Sequence, residues 1–327
     1  MTSLDSSPDS SQDRKIIGRG SLGDGVFKAT VTSAAALVLV TLGLILVASV
    51  YQAWPALKHA GINFVIGDRW VPHEMIFGAL PFIFGTAVTS IIALIFAVPI
   101  AIGIALFTTE YAPKWLRTPA ITVIDLLAAI PSVVFGLVGI LVVAPSAFTF
   151  YDSIHNAVGS IPLLGTLFGE PTTSGRTFFT AGIILAVMII PIVTSISREV
   201  FSTVPEALKQ ASYALGSTRW EMIKGSVLPH SFGGLVGASM LGLGRAMGET
   251  IAVALVIGGA TQITANLFDS GNTMAAVIVQ QWGESSGVHT AGLVGIGVVL
   301  FGITVTINLL ARVVVRRTEA RMRGVGA

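Results

Sequence analysis

The sequence predicts an all-α integral membrane protein with about six transmembrane helices, both termini in the cytoplasm, and a two-helix cytoplasmic element between spans four and five. Of the 327 residues, 53% are hydrophobic and only 11% are charged, whereas soluble domains carry about 25% charged residues. Six stretches reach the roughly 20 apolar residues that a helix needs to cross a bilayer. So few charges cannot cover a water-facing surface, so most of the protein is expected to face lipid.

The first 25 residues differ from the rest of the chain. They begin MTSLDSSPDSSQDRK, which is rich in Ser and Asp and has no apolar periodicity. This composition predicts a disordered cytoplasmic tail over residues 1–25. No apolar core directly follows the basic residues of this segment, so a secretory signal is not predicted. Residues 26–327 are expected to form one transmembrane domain.

The six predicted spans follow one another with polar connections between them. They are Thr30–Tyr51, Phe77–Phe107, Thr118–Ala144, Phe178–Ile196, Phe232–Gly259 and Ala291–Val315.

The orientation follows from the Lys and Arg residues, which accumulate on the cytoplasmic side of membrane proteins. With both termini inside, the outer segments hold only Lys58, Arg69 and Arg176, and Arg245 lies within the fifth span. The inner segments, together with the inner end of the sixth span, then hold 15 of the 19 basic residues: Arg14, Lys15, Arg19, Lys28, Lys114, Arg117, Arg198, Lys209, Arg219, Lys224, Arg312, Arg316, Arg317, Arg321 and Arg323. This bias predicts a multi-pass protein of the cell (inner) membrane with cytoplasmic N- and C-termini.

The inner segment over about residues 199–230 predicts two short helices joined by a tight turn. Thr203 and Glu206 have the spacing of a capping box that would start the first helix. An apolar face then follows on Val204, Leu208, Ala211 and Leu215. Gly216 stands where a helix ends in a left-handed cap.

The second helix of this segment has the same kind of start. Thr218 and Glu221 repeat the capping box, and Trp220, Ile223 and Val227 form a second apolar face. Pro229 is expected to prevent unbroken continuation into the fifth span.

Polar residues within the spans are the candidates for a translocation path or gate. Arg245 and Glu249 stand four apart in the fifth span, which would place them on one helix face where they can neutralise each other. A charged residue within a span is expected to face protein or a water-filled path. Thr250 follows Glu249, and Asp125 in the third span is a weaker candidate, for which a polar group solvated inside the bundle is the favoured interpretation.

Several kinds of chemistry have no support in the sequence. The chain has no Cys and no Gly-x-x-x-x-Gly-Lys-Ser/Thr sequence, so we expect neither thiolate chemistry nor ATP binding through a P-loop. The histidines lack metal-ligand spacing; they are His59, His73, His155, His230 and His289. We therefore expect no catalytic residues, metal or cofactor, and the net charge of +2 gives no reason to expect nucleic acid as a partner.

The inner segment resembles the cytoplasmic signature of the permeases of bacterial ABC importers. That pattern is Glu-Ala-Ala, three residues, Gly, nine residues, Ile, one residue, Leu-Pro. The chain matches it with Gln210-Ala211-Ser212, then Gly216, then Ser226-Val227-Leu228-Pro229. Gln210, Ser212 and Ser226 depart from the pattern, and the missing acid at Gln210 removes an ion pair that this position could form. The resemblance implies that this element, which also contains Arg219, inserts into a cleft of an ATPase and couples it to the membrane helices.

Three further stretches resemble the phosphate-specific permeases, in the version typical of the PstC subunit. They are Ala128–Gly136, Tyr213–Glu221 and Gly242–Val253, the last containing Arg-Ala-Met-Gly-Glu-Thr. The resemblance implies transport of inorganic phosphate together with a second permease of the PstA type, a dimer of PstB-type ATPase subunits and an external PstS-type phosphate-binding protein.

Four alternatives remain open at the level of sequence. The sister PstA-type permease has a related Arg-Ala-Met-Gly-Glu-Thr element, and the substrate could be another oxyanion. A self-sufficient secondary transporter would also have ionisable groups near the membrane centre, but it would leave the two-helix inner element without a role. An intramembrane enzyme would need a nucleophile and base at helical spacing, and no such pair is evident.

Overall fold

The computed structural model describes residues 22–324. These residues belong to two compact units that divide after Ala48. The first unit contributes the beginning of helix α1 (Leu22–Ala60), and the second contains everything from Ser49 onward. The predicted tail lies outside the described residues up to position 21. Its last four residues, 22–25, are already helical.

Six helical stretches in the described part of the chain are long and apolar enough to cross a bilayer, which confirms the predicted number. They are Gly23–Ala60, Leu80–Tyr111, Ser132–Val158, Phe178–Ser202, Arg219–Gly248 and Val288–Val313. Four of them overlap well with the predicted spans, whereas the third and fifth are displaced along the sequence.

The third span was wrongly predicted because the apolar sequence runs without interruption through a break in the helix. Helix α4 (Lys114–Ala128) ends early, and the backbone at Pro131 is extended, with φ −57° and ψ 138°. Proline disfavours helical geometry in the residue before it, so the chain restarts beyond it. The spanning stretch is built from α5 (Ser132–Val138), a π turn and α6 (Ala144–Val158).

Between α1 and the next span, a short helix and a two-stranded hairpin pack on the bundle. They are α2 (Asn63–Ile66) and the antiparallel strands β1 (Trp70–Val71) and β2 (Ile76–Phe77). Trp70 is buried, with its ring edge-on to Phe82, and its indole N–H donates to Gln281 Oε1 at 2.9 Å. A buried indole needs such a partner, so the hairpin is held in one position.

The centre of the bundle is the contact between α3 (Leu80–Leu106) and α8 (Phe178–Ser202). One face of α3 consists of small residues, all fully buried: Ala93, Ala97, Ala101 and Ala105. Small side chains at i and i+4 let two helices approach closely within a membrane. Beyond Leu106, α3 continues into a π turn, Phe107–Tyr111.

The segment between α6 and α8 contains the four-residue helix α7 (Leu164–Leu167). It is fastened by an aromatic cluster in which Tyr151 stacks on Phe268 at 4.3 Å between ring centroids.

The remaining helices follow α8 in chain order. They are α9 (Glu206–Ala214), α10 (Arg219–Met222), α11 (Leu228–Gly248), α12 (Ile251–Val256), α13 (Met274–Trp282) and α14 (Val288–Gly324). The fifth span begins and ends earlier than predicted, because α10 joins α11 through the π turn Ile223–Val227 and α11 stops at Gly248.

Candidate functional site

The segment between α8 and α11 forms the predicted pair of helices, but the first helix begins without the predicted capping box. Pro205 occupies the N-cap position of α9, with no side-chain cap. Thr203 instead belongs to the end of α8, where its hydroxyl donates to the carbonyl of Val200 at 2.7 Å. The Thr203–Glu206 spacing was therefore misleading, because the threonine ends one helix rather than starting the next.

The turn between the two helices has the predicted left-handed glycine. Gly216 has a φ of +82°. Its N–H donates to Tyr213 O at 2.9 Å, and the N–H of Ser217 donates to Ser212 O at 3.2 Å. These two bonds are those of a Schellman motif, which satisfies the last carbonyls of the helix.

The second capping box is confirmed. The N–H of Glu221 donates to the Thr218 hydroxyl at 3.4 Å, and the N–H of Thr218 donates to Glu221 Oε2 at 2.8 Å. Pro229, however, does not separate this helix from the fifth span. It lies in the first turn of α11, directly after the π turn, and a proline is tolerated where its missing N–H has no obligatory partner.

One side of this segment is buried and anchors it to the bundle. Val204, Met222, Ile223 and Val227 are buried in one cluster with Phe201 of α8. Further members of this cluster come from α3 and α11, and they are Ala105, Leu235, Ile102, Leu106 and Leu228.

The other side is exposed, so each predicted apolar face contains both buried and exposed residues. Of the first face, only Val204 is buried, whereas Leu215 is 90% exposed. Of the second face, Trp220 is 58% exposed. The exposed apolar side chains, together called the loop surface, are Leu208, Tyr213, Leu215 and Trp220. The signature residues Gln210, Ala211 and Pro229 are also exposed, and Ser212 and Leu228 are partly buried.

Three polar or aromatic contacts hold this segment in place. Lys209 Nζ lies 2.6 Å from Glu110 Oε1, in the π turn that ends α3. The guanidinium of Arg219 lies over the ring of Tyr111, 5.2 Å from its centroid. The hydroxyls of Ser212 and Ser226 are 2.6 Å apart. The sequence did not identify Glu110, Tyr111 or Lys209 as functional residues, because no local pattern relates positions about a hundred residues apart.

Arg245 and Glu249 do not form the predicted pair on one helix face. Helix α11 ends at Gly248, and Glu249 has an extended backbone with φ −69° and ψ 128°. Glu249 Oε1 accepts the N–H of Ala252 at 3.4 Å, at the start of α12. Within the described residues, no ion pair joins Arg245 to Glu249, and Arg245 is exposed.

The face of α11 around Arg245 is open within the described chain. A Cβ added at Gly244 or Gly248 would meet no atom within 4 Å, whereas one at Gly242 would meet Val193 of α8 at 2.7 Å. Thr250 is partly buried, and its hydroxyl donates to Gly248 O at 3.0 Å.

Asp125 does not lie in a spanning helix as predicted. It belongs to α4, the short helix that precedes the third span. Its carboxylate lies 4.0 Å from Arg198 near the end of α8, and its side chain is 54% exposed. Within the described part of the chain, no ion pair joins Asp125 to Arg245, and the two residues lie on different helices.

The described residues contain no group of three or more His, Asp or Glu side chains placed to hold a metal ion.

Comparisons with known proteins identify the family to which the chain belongs. The family described as "Binding-protein-dependent transport system inner membrane component" matches residues 97–324. The phosphate transport system permease protein PstC of Xylella fastidiosa (strain Temecula1) is 42% identical over 304 residues, which cover 93% of this chain and 94% of the relative. The PstC protein of Haemophilus influenzae is 39% identical over 300 residues, which cover 90% of this chain and 94% of the relative.

Solved structures share the fold. The bacterial ABC transporter that imports the acidic polysaccharide alginate gives a TM-score of 0.52 at 17% identity, covering 90% of this chain and 98% of the other. The MetNI methionine ABC transporter gives a TM-score of 0.50 at 18% identity, and the match covers 74% of this chain and 94% of the other. The chain belongs to the family of binding-protein-dependent transport system inner membrane components, and within that family to the PstC permeases.

Proposed function

We propose that this chain is the permease subunit of an ATP-driven importer of inorganic phosphate. It forms part of the path across the membrane, and a separate ATPase hydrolyses the ATP. Its partners are a second permease of the PstA type, a dimer of PstB-type ATPase subunits and an external PstS-type phosphate-binding protein. The names of the relatives support the substrate and the system.

The observation that carries this proposal is the exposed apolar loop surface on an otherwise anchored segment. Leu215 is 90% and Trp220 58% exposed, although the buried side of the same segment packs in the core cluster. Burying a side chain the size of Leu is worth about 1.5–3 kcal/mol. A rigid helix–turn–helix with an uncovered apolar surface is suited to insert into a cleft of a partner, and we assign that partner as the ATPase.

The chain has no P-loop sequence, which supports assigning ATP hydrolysis to the partner. Gln210 stands where the signature has an acid and is exposed. We therefore expect the loop to bind the ATPase chiefly through apolar contacts rather than through an ion pair at this position.

The charge bias of the connections supports cytoplasmic termini. The loop surface then faces the cytoplasm, where a nucleotide-hydrolysing partner resides. The outer connections hold only Lys58, Arg69 and Arg176, and the positive-inside rule orients membrane proteins by this asymmetry.

For the translocation path we propose Arg245 as the anion-binding residue. The carboxylate of Glu249 accepts the N–H of Ala252, and within the described residues it forms no ion pair with Arg245. A planar guanidinium can bond two phosphate oxygens and stays charged when desolvated. The helix face at Gly244 and Gly248 has no neighbour within 4 Å of an added Cβ in the described chain. A second permease could pack opposite this face and line the path together with it.

The remaining polar candidates have other roles in this proposal. Thr250 and Glu249 shape the turn from which α12 starts, and Asp125 fastens α4 to α8 through Arg198. None of the three is assigned a contact with phosphate.

The proposal is tested by purification of the chain with its ATPase. We expect the two to co-purify and the complex to hydrolyse ATP faster when the phosphate-loaded external binding protein is added. Stimulation by a sulfate-loaded binding protein but not by a phosphate-loaded one would contradict the choice of substrate. Failure to capture any ATPase would contradict the role of the loop.

A further inference from the structure

The ion pair between Lys209 and Glu110 differs from the other ion pairs of the described residues. Its two atoms are 2.6 Å apart, and the side chains are only 14% and 8% exposed. The other three pairs span 3.7 to 4.0 Å, and each contains at least one side chain that is more than half exposed. Shielding from water makes a charge pair stronger and less sensitive to salt.

This pair joins two elements that are distant in sequence. Lys209 lies in the middle of α9, and Glu110 lies in the π turn that continues α3. Tyr111, the neighbour of Glu110, receives the guanidinium of Arg219 on the other side of Gly216. Both helices of the loop are therefore fastened to the same five-residue turn.

The turn itself is closed by its own side chains. The hydroxyl of Thr108 donates to Ile104 O, and that of Thr109 donates to Ala105 O, each at 2.9 Å. These bonds tie the π turn to the last turns of α3. The backbone stays helical from α3 into the turn, which gives the loop a continuous connection to α3, and α3 packs along α8.

We propose that the Lys209–Glu110 pair is a positioning pair that transmits movement of the docked loop to α3. This inference rests on the proposed function, because it presumes that the loop surface binds the ATPase. Neither residue needs to touch ATPase or phosphate. The pair acts by holding the loop and the end of α3 as one body.

The test measures phosphate transported per ATP hydrolysed, since a merely structural contribution to folding would not change this ratio in assembled complexes. The full importer is reconstituted in liposomes with Glu110→Gln, with Lys209→Met, and with the charge exchange Glu110→Lys plus Lys209→Glu. We expect each single variant to retain the ATPase and to lower the ratio about five- to tenfold, in the range of measured coupling between sites. The charge exchange is expected to restore most of the ratio of phosphate transported to ATP hydrolysed. Glu74→Gln, in the exposed pair with Arg69, is the matched control and should leave the ratio unchanged.

An unchanged ratio in assembled single variants would overturn the inference, as would a charge exchange that performs no better than the single variants. If the single variants fail to assemble, Glu110→Cys plus Lys209→Cys can be used, because the natural chain has no cysteine. Bridging the two thiols with a bifunctional reagent should restore coupled uptake, and cleaving the bridge should remove it. Failure of the bridge to restore uptake would also overturn the inference. Absence of ATP-driven uptake by the unmodified importer would instead overturn the proposed function.

Discussion

The carboxylate of Glu249 accepts the backbone N–H of Ala252 at 3.4 Å, in the first turn of α12. The chain leaves α11 at Gly248 and turns into α12 within two residues. The acid is therefore engaged with the backbone of its own connection. Arg245, one turn earlier, is an exposed residue, and this relationship gives the two residues separate roles.

Removing the oxygen of Glu249 should destabilise this turn. We expect Glu249→Ala to lower stability by about 0.5–1.5 kcal/mol, the usual net contribution of one intramolecular hydrogen bond. Glu249→Gln keeps an oxygen that can accept the same hydrogen bond, so it should lower stability less than Glu249→Ala. Thermal unfolding of the purified protein in detergent measures both variants. Equal losses would show that the bond to Ala252 is not what stabilises the turn.

Neutralising Arg245 should abolish most phosphate uptake. A hydrogen bond to a charged group is worth about 1.5–3 kcal/mol, so Arg245→Gln should reduce the uptake rate about tenfold or more. The double variant Arg245→Gln plus Glu249→Gln should be equally impaired, because the acid does not balance the arginine. Uptake is measured in cells that lack other phosphate transporters, with membrane abundance checked separately. Normal uptake by the double variant would show that Arg245 does not bind phosphate and has only a packing role.

Gly216→Val should disrupt coupling without affecting membrane insertion. The φ of +82° at this position costs a side-chain-bearing residue about 1–2 kcal/mol. An added Cβ would meet no atom within 4 Å, so the effect arises from the backbone alone. Gly216→Asn is the matched control, because Asn tolerates the left-handed conformation. The Gly216→Val variant should recover less ATPase and show less stimulated ATP hydrolysis, whereas Gly216→Asn should retain most of both. Equal behaviour of the two variants would show that this position does not require a left-handed backbone.

Leu215→Ser should weaken ATPase binding while leaving the permease itself stable. Leu215 is 90% exposed, so its truncation removes little burial within the chain. Binding should weaken at least about fivefold if this residue is an anchor of the interface. Ile223→Ala, on the buried side of the same segment, should instead destabilise the fold by about 2–5 kcal/mol. Titration of ATPase with permease in nanodiscs, together with thermal unfolding, separates the two effects; full affinity in Leu215→Ser would exclude Leu215 from the interface.

The local features of the loop could be predicted from sequence because they depend on neighbours. The Thr218–Glu221 capping box and the left-handed Gly216 are set by residues within one turn of each other. The Thr203–Glu206 box has the same spacing and fails, because Thr203 lies at the end of α8 and donates back to Val200. Spacing alone does not tell which of two adjoining helices a threonine serves.

The number of spans could be predicted from hydropathy, but not the breaks within the apolar sequence. The helix stops before Pro131 and at Gly248, although apolar residues continue beyond both positions. The break at Gly248 moved Glu249 away from the face of Arg245. The contact between Lys209 and Glu110 joins residues 99 positions apart, and only the packing of α9 against the end of α3 brings them together.

The most direct measurement of the central claim is uptake of labelled phosphate into liposomes under two conditions. One preparation contains this chain alone. The other contains it with the second permease, the ATPase subunits, internal ATP and external binding protein. The proposed function predicts no uptake by the chain alone and ATP-dependent accumulation by the full assembly. Uptake by the chain alone, or accumulation by the full assembly that does not require ATP, would contradict it.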